Sequence, residues 1–240
     1  LLARIQRVGG PVVAGPGTVN YATSFTDRFF FNWNTTSIAD GNYIIKLEAR
    51  DAAGNKDAGS VEWKTVTVDN TKPVLTLPED MIVEAEGPTG SIVEFVTSAT
   101  DAVSGSLAVT CLPTSGSLFP LGVSTVTCSA TDEVGNTETG DFTITVRDTT
   151  APTIPENLRF SSPVLSCGAF TNIGFVTVNW DDSSDAVGVT GYDYNIDFPK
   201  LTGGRGVWNT SMVPSQYSGS LNPGIHHIKV RAKDAAGNRS

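Results

Sequence analysis

Aspartates recur at fixed places in this chain, directly after runs of alternating residues. The motif Asp-x-x-Gly-Asn occurs at residues 51–55, 132–136 and 234–238, and two further aspartates, Asp69 and Asp148, end strand-like runs. Turn chemistry is one explanation, because Gly and Asn tolerate positive φ and an Asp side chain accepts backbone N–H bonds two residues on. The other explanation is calcium, since Ca²⁺ takes six to eight oxygen ligands, largely from carboxylates.

The calcium hypothesis assigns the ligands to Asp51, Asp69, Asp132 and Asp148. In it, each turn aspartate combines with the aspartate that ends the following strand, at the junction between two domains. The arrangement resembles the tandem Ig-like repeats of giant bacterial adhesins, and that resemblance implies calcium that stiffens a rod. Two carboxylates at each junction are too few to make the case, so turn chemistry alone stays open.

The elements that carry these aspartates form a repeat. The pattern Gly-x7-Ala-x-Asp-x-x-Gly-Asn begins at Gly41, Gly122 and Gly224, so that successive copies lie 81 and 102 residues apart. Each copy alternates apolar and polar residues before its turn, which predicts a half-buried strand. The spacing is about the size of one β-sandwich. The sequence therefore predicts an all-β chain of tandem immunoglobulin-like β-sandwich domains in an extended array.

Composition and charge exclude several functional classes. Hydrophobic residues make up 39% of the chain and charged residues 17%, with 24 Gly and 13 Pro, a mixture typical of short strands and turns. The net charge is −9 without a polybasic run, which argues against nucleic acid as a partner. No apolar run reaches the roughly 20 residues that a membrane span requires, so an anchor or export signal would lie outside this segment.

The middle of the chain carries a specific family resemblance. Its motifs are PEDMIVEA at 78–85, SATD at 98–101, TCLPTSGSLFPLG at 110–122 and VTCSATD at 126–132. In this order they resemble a hyalin repeat, the HYR domain. The resemblance implies an Ig-like sandwich of extracellular proteins, associated with adhesion and without catalytic residues. Cys111 and Cys128 occupy positions that are both cysteine in the HYR pattern, so we expect a disulfide, with two buried free thiols as the alternative.

Prolines mark the predicted domain junctions. Pro73 and Pro152 follow strand-like runs, and proline cannot continue a central strand. We predict an Ig-like domain at 1–71 lacking its first strands, a complete HYR domain at 72–149, and a domain at 150–240 that resembles fibronectin type III or Ig-like modules and lacks its last strand. The alternatives to truncated ends are donation of a strand between subunits and a shorter set of strands that closes adequately. Cys167 has no partner in the chain.

Aromatic residues and histidines are predicted to be structural. Tyr43 resembles the tyrosine corner of immunoglobulin-type domains, and Trp180 is expected to pack in a core. An exposed Trp208 or Tyr217 could instead stack on a sugar. His226 and His227 are neighbours on a strand and therefore point to opposite faces, so they cannot act together on one metal or substrate.

These observations favour a non-enzymatic structural and adhesive segment, a stalk or spacer of a large secreted or cell-surface protein. The alternative is a set of accessory Ig-like modules in a secreted polysaccharide-acting enzyme. We expect other surface proteins or glycans as partners, an extracellular or cell-surface location, and a monomeric fragment. No cofactor is required, with Ca²⁺ at the domain junctions as the one candidate; the ligand-binding residues are unknown.

Overall fold

The computed structural model describes a defined part of the chain. Its described residues are 2–8, 12–18, 20–21, 29–30, 33–48, 53, 55, 62–162, 175–196, 209–211, 216–220 and 227–240. Every regular element in these residues is a β-strand, which confirms the all-β prediction. These residues contain no helix long and apolar enough to cross a membrane.

The strands are short and follow one another along the chain. Between residues 1 and 71 they are β1 (Leu2–Arg7), β2 (Val12–Thr18), β3 (Asn20–Tyr21), β4 (Phe29–Phe30), β5 (Gly41–Glu48) and β6 (Glu62–Val68). Between 72 and 149 they are β7 (Val74–Thr76), β8 (Met81–Glu84), β9 (Ser91–Val93), β10 (Ser98–Asp101), β11 (Gly105–Leu107), β12 (Val109–Leu112), β13 (Ser117–Phe119), β14 (Gly122–Thr131) and β15 (Thr137–Arg147). After residue 149 they are β16 (Arg159–Ser162), β17 (Phe175–Asn179), β18 (Val189–Ile196), β19 (Asn209–Ser211), β20 (Gln216–Ser220) and β21 (Ile228–Asp234).

The chain divides into two compact units, each made of several segments. Unit 1 contains Leu1–Leu77, Thr97–Leu112 and Thr127–Gly140, and unit 2 contains Pro78–Val96, Pro113–Val126 and Asp141–Ser240. The three domains predicted from the sequence, 1–71, 72–149 and 150–240, stay a prediction.

Unit 1 holds a four-stranded antiparallel sheet in the order β2-β1-β5-β6 and a three-stranded sheet in the order β11-β10-β7. Tyr43 on β5 and Val68 on β6 are buried together, with Trp33, Ile38 and Ile45 packed against them. The Tyr43 hydroxyl donates to the backbone oxygen of Ala39 at 2.6 Å, as the tyrosine-corner resemblance implies.

The cysteine pair lies on neighbouring strands of unit 1. In the antiparallel pairing of β12 with β14, Cys111 is directly opposite Cys128, and the two are joined in a disulfide with a Cα–Cα distance of 4.0 Å. On β14 the buried residues alternate, as the sequence predicts: Val126, Cys128 and Ala130 are buried.

Unit 2 contains the parallel pairing of β8 with β15, the pair β13-β9, and two three-stranded sheets in the orders β16-β17-β20 and β19-β18-β21. Trp180 packs with Tyr192 and Ala232 in its core, and the rings of Trp180 and Tyr192 meet edge to face at 5.5 Å. This confirms that Trp180 is a core residue.

Several residues singled out in the sequence lie outside the described residues. They are Asp51, Cys167, Trp208 and His226.

Candidate functional site

The first cluster consists of Asp69, Asp101 and Asp132, all in unit 1. Asp69 directly follows β6, Asp101 ends β10, and Asp132 directly follows β14. One carboxylate oxygen from each lies within 4.8 Å of the other two. Three strand ends thus bring three carboxylates to one point.

The second cluster consists of Asp148, Asp185 and Asp234, all in unit 2, and it repeats this arrangement. Asp148 directly follows β15, Asp185 lies in the loop before β18, and Asp234 ends β21. Their carboxylate oxygens also lie within 4.8 Å of one another. The recurrence ties the geometry to the sequence pattern and not to one accident of packing.

The turn motif fixes the last aspartate of each cluster. Oδ1 of Asp132 accepts the backbone N–H groups of Val134, Gly135 and Asn136 at 3.0, 2.7 and 2.8 Å. Gly135 supplies the positive φ of 98° that this tight turn requires. The predicted turn chemistry is therefore present.

The same turn is built around Asp234 in the second cluster. Its Oδ1 accepts from the backbone N–H groups of Gly237 and Asn238 at 2.7 and 2.8 Å, and the φ of Gly237 is 94°. The asparagine of the motif is not used for positive φ, because among the described non-glycine residues that conformation belongs to Asn157. This corrects the role that the sequence suggested for asparagine.

A second local motif fixes the loop aspartates. Oδ1 of Asp101 accepts the N–H groups of Val103 and Ser104 at 2.7 and 2.8 Å. Asp185 makes the matching contacts with Val187 and Gly188, at 2.8 and 3.0 Å. Both aspartates begin an Asp-Ala-Val sequence, so the same local sequence produces the same turn.

One oxygen of most of these carboxylates is buried without a hydrogen-bond partner among the residues that the structure describes. The orphaned atoms are Oδ2 of Asp69, Asp101, Asp148, Asp185 and Asp234. Burying a carboxylate oxygen without a partner costs free energy, and such orphans are rare in folded proteins. In these five aspartates Oδ1 is held by backbone amides while Oδ2 is left for another group, whereas Oδ2 of Asp132 accepts from Asn136 Nδ2.

Burial and mutual repulsion act on the strand-ending aspartates. Burial raises the pKa of Asp69, the hydrogen bond from the Thr71 N–H opposes it, and the nearby Asp101 and Asp132 carboxylates raise it further. At Asp132 burial again raises the pKa, but hydrogen bonds led by those from Asn136 outweigh it and hold the pKa below its usual value.

Asp148 in the second cluster resembles Asp69. Burial raises its pKa, the Thr150 N–H lowers it, and the carboxylates of Asp185, Asp234 and Glu84 raise it further. The neighbouring carboxylates therefore repel the negative charge of each strand-ending aspartate.

The asparagine of each turn binds the linker that carries the strand-ending aspartate. We call residues 69–73 the first linker and 148–152 the second linker. Asn136 Nδ2 donates to the backbone oxygen of Asp69 at 3.3 Å and to Oδ2 of Asp132 at 2.7 Å. Asn238 Nδ2 donates to the backbone oxygens of Asp148 and Thr150, both at 3.2 Å.

The opposite side of the first linker is bonded to Asp40. The Asn70 N–H donates to Asp40 Oδ1 at 2.7 Å, and the Thr71 hydroxyl donates to Asp40 Oδ2. The Asn70 side-chain amide also donates to the backbone oxygens of Thr35 and Ile38, at 2.7 and 3.0 Å. The first linker is thus held from two sides.

Glu84 has the same role for the second linker. It accepts the N–H and hydroxyl groups of Thr149 at 2.8 and 2.6 Å and those of Thr150 at 3.0 and 2.9 Å. These hydrogen bonds, led by that from the Thr149 hydroxyl, lower the pKa of Glu84 to about 2.

The structure groups the predicted residues differently from the sequence-based pairing. Asp69 lies with Asp132, and Asp148 lies with Asp234, so each turn aspartate meets the strand-ending aspartate that precedes it in the chain. The reason is the turn asparagine, which binds back to that earlier linker. The predicted partner of Asp69 was Asp51, which lies outside the described residues.

Asp101 and Asp185 were missed by the sequence analysis. Neither belongs to the repeated strand-turn unit from which the candidate ligands were taken. The signal that could have found them is the shared Asp-Ala-Val sequence, at 101–103 and 185–187.

Comparison with known proteins matches one part of the chain to a known domain. The model of the HYR domain matches residues 68–146, a range that contains all of the first cluster and the disulfide. The chain contains a HYR domain. The matched range includes the first linker at its start and ends at residue 146, just before the second linker.

Two relatives share parts of the chain. Hyalin from Lytechinus variegatus is 34% identical over 119 residues, covering 48% of this chain and 22% of hyalin. Chitinase A1 from Niallia circulans is 30% identical over 190 residues, covering 76% of this chain and 24% of the chitinase. The chain therefore spans less than a quarter of the length of either relative.

Among solved structures, domains A168–A170 of titin align with 98% of this chain and 84% of their own, at 10% identity and a TM-score of 0.33.

Proposed function

We propose that this chain is a non-enzymatic structural and adhesive segment, a stalk or spacer, of a large secreted or cell-surface protein. The observation that carries the proposal is the pair of bonded linkers, one at the start of the HYR match and one just after its end. Connections between domains ordinarily permit relative motion unless specific contacts prevent it. Here each linker is bonded on one side to a carboxylate and on the other to a turn asparagine.

Energetics support a stiff linker. Each neutral hydrogen bond adds about 1 kcal/mol net, and bonds to charged groups about 1.5–3 kcal/mol in sheltered settings. Glu84 and Asp40 are solvent-accessible, so the hydrogen bonds that they accept contribute less to stability. Several such bonds nevertheless hold each linker, which is only five residues long. Buried Pro73 and Pro152 further restrict the backbone. A spacer needs this restriction because a freely turning linker does not hold its neighbours at a fixed distance.

The family and the disulfide support an extracellular setting. The HYR match at residues 68–146 and the 34% identity to hyalin over 119 residues support an extracellular adhesive role. The Cys111–Cys128 disulfide fits an oxidising compartment. Partners of the proposed segment are other surface proteins or glycans.

The carboxylates also support a non-enzymatic role. The aspartates of both clusters point one oxygen at backbone amides of their own turns, which leaves them poorly suited to exchange protons with a substrate. Structural use of these groups explains their placement.

A second candidate function has its own support. Chitinase A1 matches 76% of this chain, a larger share than hyalin does. An accessory module that separates or positions a polysaccharide-acting domain would also benefit from stiff linkers. The two candidates differ in the contact they predict: the accessory module contacts chitin, whereas the spacer contacts proteins or glycans of other surfaces.

The experiment has two arms. Small-angle scattering compares the chain with a variant that combines Asn70→Ala, Thr71→Ala and Asn136→Ala. The proposal predicts a narrower distribution of interatomic distances for the unmodified chain, and identical distributions would contradict it. In the second arm the chain is incubated with chitin. The proposal predicts neither turnover nor sedimentation with chitin, whereas sedimentation without turnover favours the accessory module and turnover contradicts both candidates.

A further inference from the structure

The two aspartate clusters have an unbalanced negative charge. None of the six aspartates makes an ion pair with lysine or arginine in the part of the chain that the structure describes. They are hydrogen-bonded by backbone amides and, at Asp132, by the side chain of Asn136. Three carboxylates within 4.8 Å of one another, without a cation, repel each other strongly.

Unit 2 also contains a buried aspartate, Asp193, that is paired with arginine. Asp193 is as buried as Asp234, and its Oδ2 contacts Arg231 Nη2 and Arg239 Nε, both at 3.0 Å. Buried charges in proteins are normally paired in this way or coordinate a metal. Among the described residues no arginine or lysine pairs with either cluster, so a bound metal ion is the remaining way to balance the charge.

The orphaned oxygens supply an independent sign of a ligand. Asp101 and Asp148 are 9% exposed and Asp234 is 2% exposed, yet Oδ2 of each has no hydrogen-bond partner. In each case Oδ1 is held by backbone amides, so the unpartnered Oδ2 is fixed in position next to the other carboxylates of its cluster.

We propose that each cluster is a calcium site: Asp69, Asp101 and Asp132 bind one Ca²⁺, and Asp148, Asp185 and Asp234 bind a second. This goes beyond the proposed function, because a spacer and an accessory module could both carry these ions.

The chemistry of the donors selects the metal. All six side chains offer hard carboxylate oxygens, and histidine and cysteine, which zinc and copper favour, take no part in either group. Three carboxylates supply three to six oxygens depending on whether each binds through one atom or two, and water completes the shell of six to eight that Ca²⁺ takes. Mg²⁺ requires a stricter octahedron at shorter distances, which an irregular group drawn from separate strand ends and a loop suits less well.

Binding would link three parts of the chain at each site. The ion would connect the linker aspartate, the Asp-Ala-Val loop and the Asp-x-x-Gly-Asn turn, adding to the asparagine bond that already joins the linker to the turn. Calcium would then further restrict the motion of each linker, which the hydrogen bonds already hold in place.

The test is calorimetric titration of the EDTA-treated full chain with CaCl₂. The chain is expected to bind two Ca²⁺. Asp101→Asn and Asp185→Asn each remove one negative charge without changing side-chain size. Because the remaining oxygen accepts the turn amides, the amide nitrogen, which cannot bind a cation, takes the place of Oδ2. Each single variant is therefore expected to bind one ion and the double variant none. Asp141→Asn, at an exposed position on β15, is the matched control and is expected to keep both ions.

Retention of two ions by either single variant would overturn the assignment. So would the absence of binding to the unmodified chain up to about 10 mM Ca²⁺, a concentration well above the dissociation constants of extracellular calcium modules. Tighter binding of Mg²⁺ than of Ca²⁺ would overturn the choice of metal.

A measurement without variants covers the case in which a substitution prevents folding. In amide spectra of the unmodified chain, CaCl₂ is expected to shift the signals of Val103, Ser104, Val187 and Gly188, whose N–H groups bond the proposed ligands. Shifts confined to other residues would contradict both sites. Linker order is measured separately without calcium, so failure of this proposal and failure of the spacer proposal are distinguishable.

Discussion

The side-chain amide of Asn136 donates to the backbone oxygen of Asp69 at 3.3 Å, across 67 positions of sequence. The same amide donates to Asp132, so one side chain joins the first linker to the turn that follows β14. Asn238 repeats the contact with Asp148 in unit 2. The final residue of the Asp-x-x-Gly-Asn motif therefore connects the turn to the preceding linker.

Replacing Asn136 by alanine should destabilise unit 1. Asn136→Ala removes two hydrogen bonds, one to a carboxylate, and we expect the free energy of unfolding to fall by about 1–2 kcal/mol. Chemical denaturation of the full chain measures this. Ser106→Ala, at an exposed position on β11 of the same unit, is the control and should change stability by less than about 0.5 kcal/mol. Equal effects of the two substitutions would show that the contact contributes nothing.

Gly90 should be one of the least replaceable residues in unit 2. Its φ is 119°, and a Cβ atom there would lie 2.9 Å from Pro120 Cα and closer still to the backbone of the buried Phe119. Gly90→Ala is expected to cost at least about 3 kcal/mol, from steric overlap added to backbone strain.

Gly116→Ala is the matched control for Gly90→Ala. Gly116 also has a positive φ, 80°, but nothing lies within 4 Å of the position that a Cβ atom would take there. Only the strain of about 1 kcal/mol remains. Thermal unfolding of both variants separates steric overlap from strain, and equal losses would contradict the close approach at Gly90.

The disulfide should contribute substantially to stability. It closes a loop with a sequence separation of 17 residues, for which the chain-entropy relation gives about 3 kcal/mol. The double variant Cys111→Ala/Cys128→Ala is expected to lose about this much in denaturant unfolding. The unmodified chain in reductant is the control and should approach the variant, whereas unchanged stability in both would contradict a structural role.

Acid should weaken the hold on the second linker through Glu84. The hydrogen bonds from Thr149 and Thr150 lower the folded pKa from 4.5 to about 2, so the ionised form stabilises the folded state. That stabilisation is full above about pH 4.5 and is lost as the pH falls toward about 2. The melting temperature of the unmodified chain should therefore fall between about pH 4.5 and about pH 2. That of Glu84→Gln, which has no carboxylate at this position, should fall less over the same interval.

Glu94→Gln is the control for that experiment, because Glu94 is an exposed glutamate of the same unit. It should keep the pH dependence of the unmodified chain. If Glu84→Gln has the same pH profile as Glu94→Gln, the bonds to the threonines do not contribute to folding stability.

Local patterns in the sequence predicted the features that depend on few residues. Alternation on β14, the buried Trp180 and the bond of Tyr43 to its upstream backbone follow from periodicity or from short motifs. The disulfide followed from family resemblance, although its position between adjacent strands of one sheet did not.

The composition of the clusters could not be predicted because it depends on long-range contacts. Asp69 meets Asp132 only after β6 and β14 have taken their places in unit 1, and the motif by itself does not say which linker its asparagine binds. Asp101 was missed because its turn lies outside the repeated unit.

Order of the linker amides is the most direct test of the account. Nitrogen-15 relaxation on the calcium-free chain gives order parameters for Asn70, Thr71, Thr149 and Thr150. The hydrogen bonds to Asp40 and Glu84 predict values near those of rigid backbone, about 0.85, matching the adjoining strands. Values below about 0.6 at these amides would mean that the linkers move freely, and they would contradict the proposal that this segment is a spacer.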